Sequence, residues 1–221
     1  MEIEMTSAFK YAEKKYSDSL LALGSVRIGT LHDFRNSEHK PGIIDANEGR
    51  KTITHHIAKA STTDGDTIHT RAMKAFKAIG YDSKSVVHMK DCHFTQEFDH
   101  PNMYIHCLSA EYSSKVMREF DGSDSCVEIV NLHGFYRRLT QTLKQFTPVD
   151  FLGVSQVTYM DRDQPWNGSD WGENPALIKE HEFRNQVEIR AVWWSKTGKP
   201  IEPIILNDVG LIEFCARRQT P

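Results

Sequence analysis

The sequence predicts an α+β protein with a mixed or antiparallel central sheet and flanking helices. Helical spacing prevails in the first half of the chain and strand-like alternation in the second, without the regular strand–helix alternation of parallel α/β folds. The chain has 221 residues, of which 39% are apolar and 26% charged. This length and composition fit a single globular domain over residues 1–221, with a core that needs no disulfide or metal to hold it.

The individual elements follow from periodicity and from turn residues. Tyr16, Leu20 and Leu23 stand at helical spacing, and Gly24 is a favourable helix terminator. A polar, turn-rich stretch covers residues 32–51, and an irregular one covers residues 162–175. The predicted helices span residues 11–23, 69–79, 114–120 and 132–146, with a short one from residue 176. The predicted strands span residues 25–31, 53–57, 85–89, 103–108, 126–130, 152–160, 186–194, 201–206 and 211–215.

Composition also bears on compartment and partners. The formal net charge of −3 excludes a generally basic nucleic-acid coat protein. No apolar run approaches the roughly 18–20 residues of a membrane span, and the acidic N-terminus lacks the features of a signal peptide. The four cysteines are isolated, without a Cys-x-x-Cys pair. We therefore expect a cytoplasmic protein with reduced, buried thiols and no membrane partner.

Common catalytic signatures are absent from the sequence. It contains no Gly-x-x-x-x-Gly-Lys-Ser/Thr loop, no Gly-x-Gly-x-x-Gly after a strand, no His-Glu-x-x-His and no Gly-x-Ser-x-Gly. These absences weaken assignments as a P-loop ATPase, a classical dehydrogenase, a zinc protease or an α/β-hydrolase.

Three short segments carry candidate functional residues. On the first, Arg27 lies in a predicted strand and is followed by Gly29, so a guanidinium can project beside backbone that a ligand approaches closely. Such an arrangement can bind a phosphate or diphosphate through two hydrogen bonds. An edge strand with one solvated arginine has the same pattern, so both interpretations stay open.

The second and third segments hold a serine and a carboxylate. Ser109 closes an apolar strand, where it can orient a catalytic carboxylate or simply end the strand, and Ser113 follows it. Strand alternation puts Gln186, Glu188 and Arg190 on one face. A glutamate there can stabilise a developing cation, but an ordinary ion pair between Arg190 and Glu188 fits the sequence equally well.

Together and in this order, the segments resemble those of a large family of uncharacterised bacterial and phage proteins. The resemblance extends from about Lys10 to Arg190, and it departs from the family at Gln186, where a glutamate is more usual. The matching segments are Gly29-Thr30-Leu31-His32-Asp33-Phe34-Arg35, Asp45-Ala46-Asn47-Glu48-Gly49 and Phe183-Arg184-Asn185-Gln186-Val187-Glu188-Ile189-Arg190.

More remotely, the order of arginine, serine and Gln-x-Glu resembles the ADP-ribosyltransferase superfamily. That resemblance implies catalytic roles for Glu188, Gln186 and Ser109. The superfamily's Ser-Thr-Ser is replaced here by Cys107-Leu108-Ser109, which makes Ser113 a substitute candidate. The resemblance further implies NAD as a substrate. The residues expected to bind it are Arg27, Gly29, Thr30, Phe34 and Arg35.

The implied chemistry is cleavage of the bond between nicotinamide and ribose. A carboxylate beside the ribose stabilises the oxocarbenium-like charge, while an arginine positions the diphosphate. Gln186 would orient the acceptor, and a glutamine at this position is associated with acceptors other than arginine. The expected acceptor is a macromolecule, either protein or nucleic acid. The resemblance suggests a toxin or an anti-phage defence effector, for which an antitoxin would be a partner.

Two other functions compete with this hypothesis. A metal-dependent hydrolase or nuclease would use the carboxylates Asp45, Glu48 and Glu188, although carboxylates in such a loop are usually solvated. A binding module without turnover would recognise a nucleotide or a partner through Arg27 and the aromatic loop that holds Trp166 and Trp171. Those indoles could instead fold back over the core. We assign no metal site, since no spacing in the loose cluster of His88, Asp91, Cys92, His93, His100 and His106 matches a compact zinc centre.

Overall fold

The computed structural model describes residues 5–36, 42–80 and 85–221, so the acidic residues 1–4 lie outside it. It has the predicted α+β class, with strands distributed along the whole chain. The helices are α1 Lys14–Leu23, α2 Ile68–Ala75, α3 Ser114–Arg118 and α4 Leu132–Phe146. The strands are β1 Ala8–Ala12, β2 Ser25–Thr30, β3 Arg50–Ser61, β4 His88–Asp99, β5 Tyr104–Ser109, β6 Ser125–Ile129, β7 Val149–Gln156, β8 Thr158–Tyr159, β9 Asp163–Pro165, β10 Ile178–Lys179, β11 Glu188–Ser195, β12 Ile204–Asn207 and β13 Cys215–Arg218. Short 3-10 helices cover Asp33–Arg35, Pro175–Leu177, His181–Gln186 and Val209–Phe214.

An eight-stranded sheet dominates the molecule, and the strand pairs within it are antiparallel. One path runs β12-β2-β5-β1-β6-β13, while β11 pairs with β5 and with β7. A three-stranded sheet has the order β4-β3-β9, and β8 pairs with β10 in a third sheet. The pairs β3–β9 and β8–β10 are parallel. Mostly antiparallel pairing agrees with the predicted mixed or antiparallel sheet.

The main core lies between the large sheet and α4. The predicted helix over residues 132–146 is confirmed at both ends. Asn131 caps it, because its side-chain oxygen accepts from the backbone N–H of Gly134 at 2.9 Å. Trp193 of β11 is fully buried, and its indole N–H donates to the Thr140 hydroxyl at 2.8 Å. The central strands therefore present one face to α4 and leave the other for the site described below.

The first predicted helix starts too early. Residue Tyr11 belongs to β1, which pairs along its whole length with β6, and α1 begins only at Lys14. Local spacing favoured one long helix, but the pairing with a strand more than a hundred residues away decided the conformation. The predicted end of the helix is confirmed, since Gly24 adopts a left-handed conformation with φ 61°.

The polar segment from His88 to Asp99 is the largest difference from the predicted elements. Only residues 85–89 were predicted as a strand in this region, whereas His88–Asp99 forms the twelve-residue strand β4, paired with an equally long β3. The prediction that helices come early and strands late is also wrong, because five strands, β1 to β5, lie in the first half of the chain. Much of this hairpin has exposed side chains, so apolar alternation gave a weak signal for it.

Two smaller corrections concern the end of the chain. Residues 211–215, predicted as a strand, mostly form a 3-10 helix over Val209–Phe214, and β13 follows it. The predicted strand from residue 186 begins at Glu188, because Val187 adopts a left-handed conformation with φ 45° after a 3-10 helix. Among the described residues, no helix combines the length and the apolar character needed to cross a membrane.

Candidate functional site

The large sheet splits at β5. The whole of one edge of β5 pairs with β11, from Glu188 opposite Ser109 to Trp193 opposite Tyr104. Its other edge is shared, because Gly29 of β2 lies opposite Ile105 near one end of β5, whereas β1 reaches the edge only at Ser109. The strands β1 and β2 therefore diverge, and a cleft opens between them over the middle of β5.

Lys10 of β1 lies in this split. Its ammonium donates a hydrogen bond to the carbonyl oxygen of Cys107 on β5, at 3.0 Å. That contact supplies a partner to a carbonyl in the part of the edge between the β1 and β2 pairings. Burial lowers the pKa of the Lys10 ammonium, and the nearby Arg27 lowers it further, while Cys107 and Glu188 act in the opposite direction.

A cavity of about 540 Å³ occupies the cleft. This volume lies within the range of roughly 300–1,000 Å³ that is usual for small-molecule sites. The lining includes six of the eight residues that the sequence singled out for catalysis or cofactor binding, brought together from β2, the segment after it, β5, the 3-10 helix before β11 and the first residue of β11. These six are Arg27, Gly29, Phe34, Ser109, Gln186 and Glu188.

On the β2 side of the cavity, Arg27 is half-exposed and forms an ion pair with Asp33 at 2.6 Å. Gly29 makes room for two neighbours. A Cβ at this position would lie 3.1 Å from the Phe34 ring and 3.3 Å from the Arg27 guanidinium. The glycine therefore allows an aromatic ring and a cation to pack together over the strand, beside the cavity.

Two predicted cofactor-binding residues lie outside the lining of this cavity. Thr30 is buried, and its hydroxyl accepts from the backbone N–H of Asp33 at 3.2 Å, so it holds the turn after β2. Arg35 donates from Nε to the carbonyl oxygen of Glu48 at 2.7 Å and pairs with Asp99 at 2.6 Å. Both side chains organise the segment that follows β2.

Glu188 is at the centre of a buried ionic cluster. Its Oε1 accepts from Nε of Arg190 at 2.6 Å, and its Oε2 lies 2.7 Å from Nζ of Lys179. Arg190 also donates to both oxygens of Glu48 at 2.8 Å. The four side chains carry two positive and two negative formal charges, so the cluster is neutral although it is almost completely enclosed.

Neighbouring cations determine the ionisation of Glu188. Burial alone would raise the pKa of this carboxyl group, but the charges and hydrogen bonds of Arg190 and Lys179 outweigh burial and hold the pKa well below its usual range. Burial acts against the charged form of Arg190 too, and Glu188 and Glu48 together raise its pKa. Glu188 is consequently a carboxylate of fixed orientation at neutral pH.

Gln186 is buried beside this cluster, with both ends of its amide in hydrogen bonds. Its oxygen accepts from Nζ of Lys179 at 2.8 Å, and its nitrogen donates to the carbonyl oxygen of Gly42 at 2.7 Å. Gln186 thus positions Lys179 against Glu188. Through its hydrogen bond to Gly42, it also holds the loop before β3 in place. Lys179 is a member of this cluster that the sequence did not reveal, since nothing in its local pattern distinguishes it from a surface lysine.

Ser109 stands directly opposite Glu188 in the β5–β11 ladder. Its hydroxyl accepts from the backbone N–H of Glu111 at 3.2 Å and lies 3.3 Å from the carbonyl oxygen of the same residue. The serine thus lines the cavity and also closes the turn after β5. The substitute candidate, Ser113, caps α3 by accepting from the N–H of Lys115 at 3.1 Å.

The expectation that the carboxylates of the loop before β3 are solvated is wrong for Asp45 and Glu48, while Glu38 lies outside the described residues. Asp45 and Glu48 are buried, and Asp45 accepts from the guanidinium of Arg162 at 2.6 Å. Glu48 is held by Arg190. Because each carboxylate already accepts hydrogen bonds from a buried cation, the arrangement offers little support to a divalent ion bound between Asp45, Glu48 and Glu188.

The aromatic loop is part of the core. Trp166 is buried, with its ring centroid 5.9 Å from that of Phe76, and Trp171 packs on Phe98 at 5.4 Å. The alternative in which both indoles fold back on the protein is therefore confirmed. The Trp166 side chain closes one face of the three-stranded sheet, where a partner cannot reach it.

The thiols offer no nucleophile to the cleft. Cys107 lines the cavity, but burial raises the pKa of its thiol far above the usual value. Burial likewise raises the pKa of Cys126 to about 11 and that of Cys215 to about 12. These groups are protonated at neutral pH, and the thiolate is the reactive form.

Comparison with known proteins adds no assignment. No protein-family model, curated protein or solved structure matches the chain.

Proposed function

We propose that the chain is an NAD-dependent ADP-ribosyltransferase-like enzyme that modifies a macromolecule, with an ADP-ribosyltransferase-like arrangement of its split sheet. The observation that carries the proposal is the convergence of Arg27 and Glu188, from strands far apart in the sequence, on one cavity. Such a reaction needs two groups in one cleft. One is a cation that can bind a diphosphate, and the other is a carboxylate that is ionised at neutral pH.

In this proposal NAD lies across the split between β1 and β2. The half-exposed Arg27 exchanges part of its contact with Asp33 for the diphosphate. Phe34, packed over Gly29, offers a ring on which a base or the nicotinamide stacks. Lys10 adds a second cation to the same cleft, so the anionic part of the dinucleotide is attracted to the β1–β2 side.

Glu188 acts on the ribose. The glycosidic bond breaks, its electron pair goes to the nicotinamide nitrogen, and the acceptor's nucleophilic atom bonds to the anomeric carbon as it loses a proton to solvent. The carboxylate stabilises the oxocarbenium-like charge between these events. Arg190 and Lys179 fix its orientation, and Gln186 holds Lys179 in turn.

The acceptor belongs to a macromolecule, and Gln186 before Glu188 disfavours an arginine acceptor by resemblance. Activity of this kind suits a cytoplasmic toxin or an anti-phage defence effector, for which an antitoxin would restrain the activity in the producing cell. Incubation with labelled NAD and cell extract decides whether the acceptor is a protein or a nucleic acid, because the modified macromolecule retains the label.

A nucleotide-binding module without turnover is the second candidate, and one observation favours it. Both oxygens of Glu188 are engaged by cations, at 2.6 Å from Arg190 and 2.7 Å from Lys179. Neutralisation by two cations weakens the electrostatic effect of this carboxylate on a developing positive charge. The cavity and Arg27 would then bind the nucleotide, with no bond broken.

The test measures NAD binding and nicotinamide release separately, with NAD labelled in its adenylate half and cell extract as acceptor source. Arg27→Ala should weaken binding by about tenfold or more, since hydrogen bonds between charged groups contribute roughly 1.5–3 kcal/mol. Folding should be retained because exposed ion pairs contribute little. Arg50→Ala is the matched control, as Arg50 is also a half-exposed arginine paired with an aspartate, and it is outside the cleft lining.

Glu188→Gln should still bind NAD but should release nicotinamide at least about a hundredfold more slowly than the wild type. Circular dichroism checks that the variant is folded. Release at the wild-type rate from this variant would show that Glu188 is misassigned. Binding by the wild type without release would favour the binding module. If the wild type does not bind NAD, the transferase proposal fails, and so does a binding module whose nucleotide is NAD.

A further inference from the structure

A second cluster of ligand-type side chains lies on the β3–β4 hairpin, away from the cleft. His56 of β3 and His93 of β4 are directly opposite in the antiparallel ladder, and their rings stack with centroids 4.2 Å apart. The carboxylate of Asp91 lies 3.0 Å from Nε2 of His56. One ligand atom from each of the three residues falls within 4.8 Å of the others.

The hairpin keeps these side chains out of the core. Successive residues of a strand point to opposite faces, and the neighbouring His55 points to the other face, where it bonds His69 and meets Trp166 at 5.8 Å. His56, Asp91 and His93 are all exposed. An ion would reach them directly from solvent, and none of the three lines the cleft cavity.

Asp91 joins the two histidines from the position two residues before His93 on β4. Asp91 adopts a left-handed conformation with φ 51°, which aspartate tolerates better than most residues. By register it lies diagonal to His56 and two residues from His93, and diagonal neighbours on one face of an antiparallel pair are close enough for their side chains to meet. Two neutral imidazoles and one carboxylate form a common ligand set for a first-row divalent metal ion.

We propose that His56, Asp91 and His93 bind one divalent transition-metal ion, with Zn²⁺ the favoured occupant. Three protein ligands would leave a fourth coordination position to water or to a ligand from another molecule. The pairing of the twelve-residue strands β3 and β4 supplies the rigid support. Mg²⁺ should not substitute, since it prefers oxygen ligands and octahedral geometry.

Calorimetric titration of the full chain with Zn²⁺ tests the proposal. The expected result is saturable binding of one ion per chain, weakened about tenfold or more by His93→Ala, as loss of even an outer-shell partner costs roughly 10–100-fold in affinity. Asp91→Asn should also weaken it while suiting the left-handed backbone. Titration with Co²⁺ should give the absorption bands of a low-symmetry site, and these should be absent from His56→Ala/His93→Ala.

The matched control is His69→Ala. His69 and His55 form a second close histidine pair among the described residues, with a 3.0 Å contact between ring nitrogens, so they are competing ligands for Zn²⁺. Loss of binding in His69→Ala, or unchanged binding in His56→Ala/His93→Ala, would assign the ion elsewhere and overturn the proposal. Absence of binding by the wild type, or equal binding of Mg²⁺, would overturn it too.

Discussion

Arg190 illustrates how one side chain can determine the character of a site. It is buried to 1% exposure and lies between two glutamates, one from its own strand and one from the loop before β3. A cluster of this kind is expensive to desolvate, and it is held together because every charge has a partner. Its neutrality makes the cluster sensitive to the loss of any single member.

We expect Arg190→Met to lower the free energy of unfolding by about 3–5 kcal/mol, because it leaves buried Glu48 without its cation. Chemical denaturation monitored by tryptophan fluorescence measures this. Arg27→Ala removes an exposed ion pair and should cost less than about 1 kcal/mol. Similar losses for the two variants would contradict the structural role assigned to Arg190.

At the scale of elements, the divergence of β1 and β2 creates the cavity. Because of this split, part of the β5 edge lacks a strand partner. Lys10 compensates by donating a hydrogen bond to the carbonyl oxygen of Cys107. A long side chain thus replaces a ladder hydrogen bond while keeping the cleft open.

Lys10→Met should lower the free energy of unfolding by roughly 1–3 kcal/mol, since methionine fills a similar volume but leaves the Cys107 carbonyl without this donor. Thermal and denaturant unfolding give the value. Lys15→Met is the control, because Lys15 is an exposed lysine of α1 paired with Glu13 and should change stability by less than about 0.5 kcal/mol. Equal effects would argue against the edge role of Lys10.

The elements also show which signals in the sequence are dependable. The helix α4 was predicted at both ends, and the structure shows that it buries apolar residues on one face and that Asn131 caps it. The strand β4 was largely missed because its residues are half-buried or exposed. The last two residues of β1, Tyr11 and Ala12, were assigned to a helix, and only the pairing of β1 with β6 shows otherwise. Local periodicity reports burial on one face, so it fails where burial or pairing is supplied from a distance.

At the scale of the whole molecule, the core holds certain groups in one protonation state. His106 of β5 is buried against α4, with its Nδ1 3.1 Å from the Tyr136 hydroxyl. Burial, with a smaller effect from Lys10, lowers the pKa of this imidazole well below 6.5. Near pH 6.5 the unfolded chain therefore binds a proton at this imidazole, whereas the folded chain does not. Folding stability consequently decreases as the pH falls below that value.

We expect the free energy of unfolding to fall by up to about 1.4 kcal/mol per pH unit from this group between pH 6.5 and roughly 5. His106→Gln should reduce the slope, whatever its effect on stability at neutral pH. Denaturant unfolding at several pH values measures both quantities. An unchanged slope in the variant would show that His106 does not titrate as the buried position requires.

Assembly of the site is also a property of the whole molecule. The ion pairs of Arg190 with Glu48 and of Arg162 with Asp45 join the loop before β3 to the later part of the chain. They connect segments more than a hundred residues apart. A single domain over residues 1–221 stays a prediction, as does the location of the protein in the cytoplasm.

By itself, the sequence determined the α+β class, the position of α4, the end of α1 at Gly24 and the candidate residues Arg27, Ser109, Gln186 and Glu188. Periodicity, caps and residue chemistry are local properties, and local properties can be read along a chain. Only the tertiary structure decided that these residues share a cavity, that Lys179 and Arg190 enclose Glu188, and that His56 meets His93. Those contacts depend on which strands pair and where a sheet divides, and long-range pairing leaves no local pattern in the sequence.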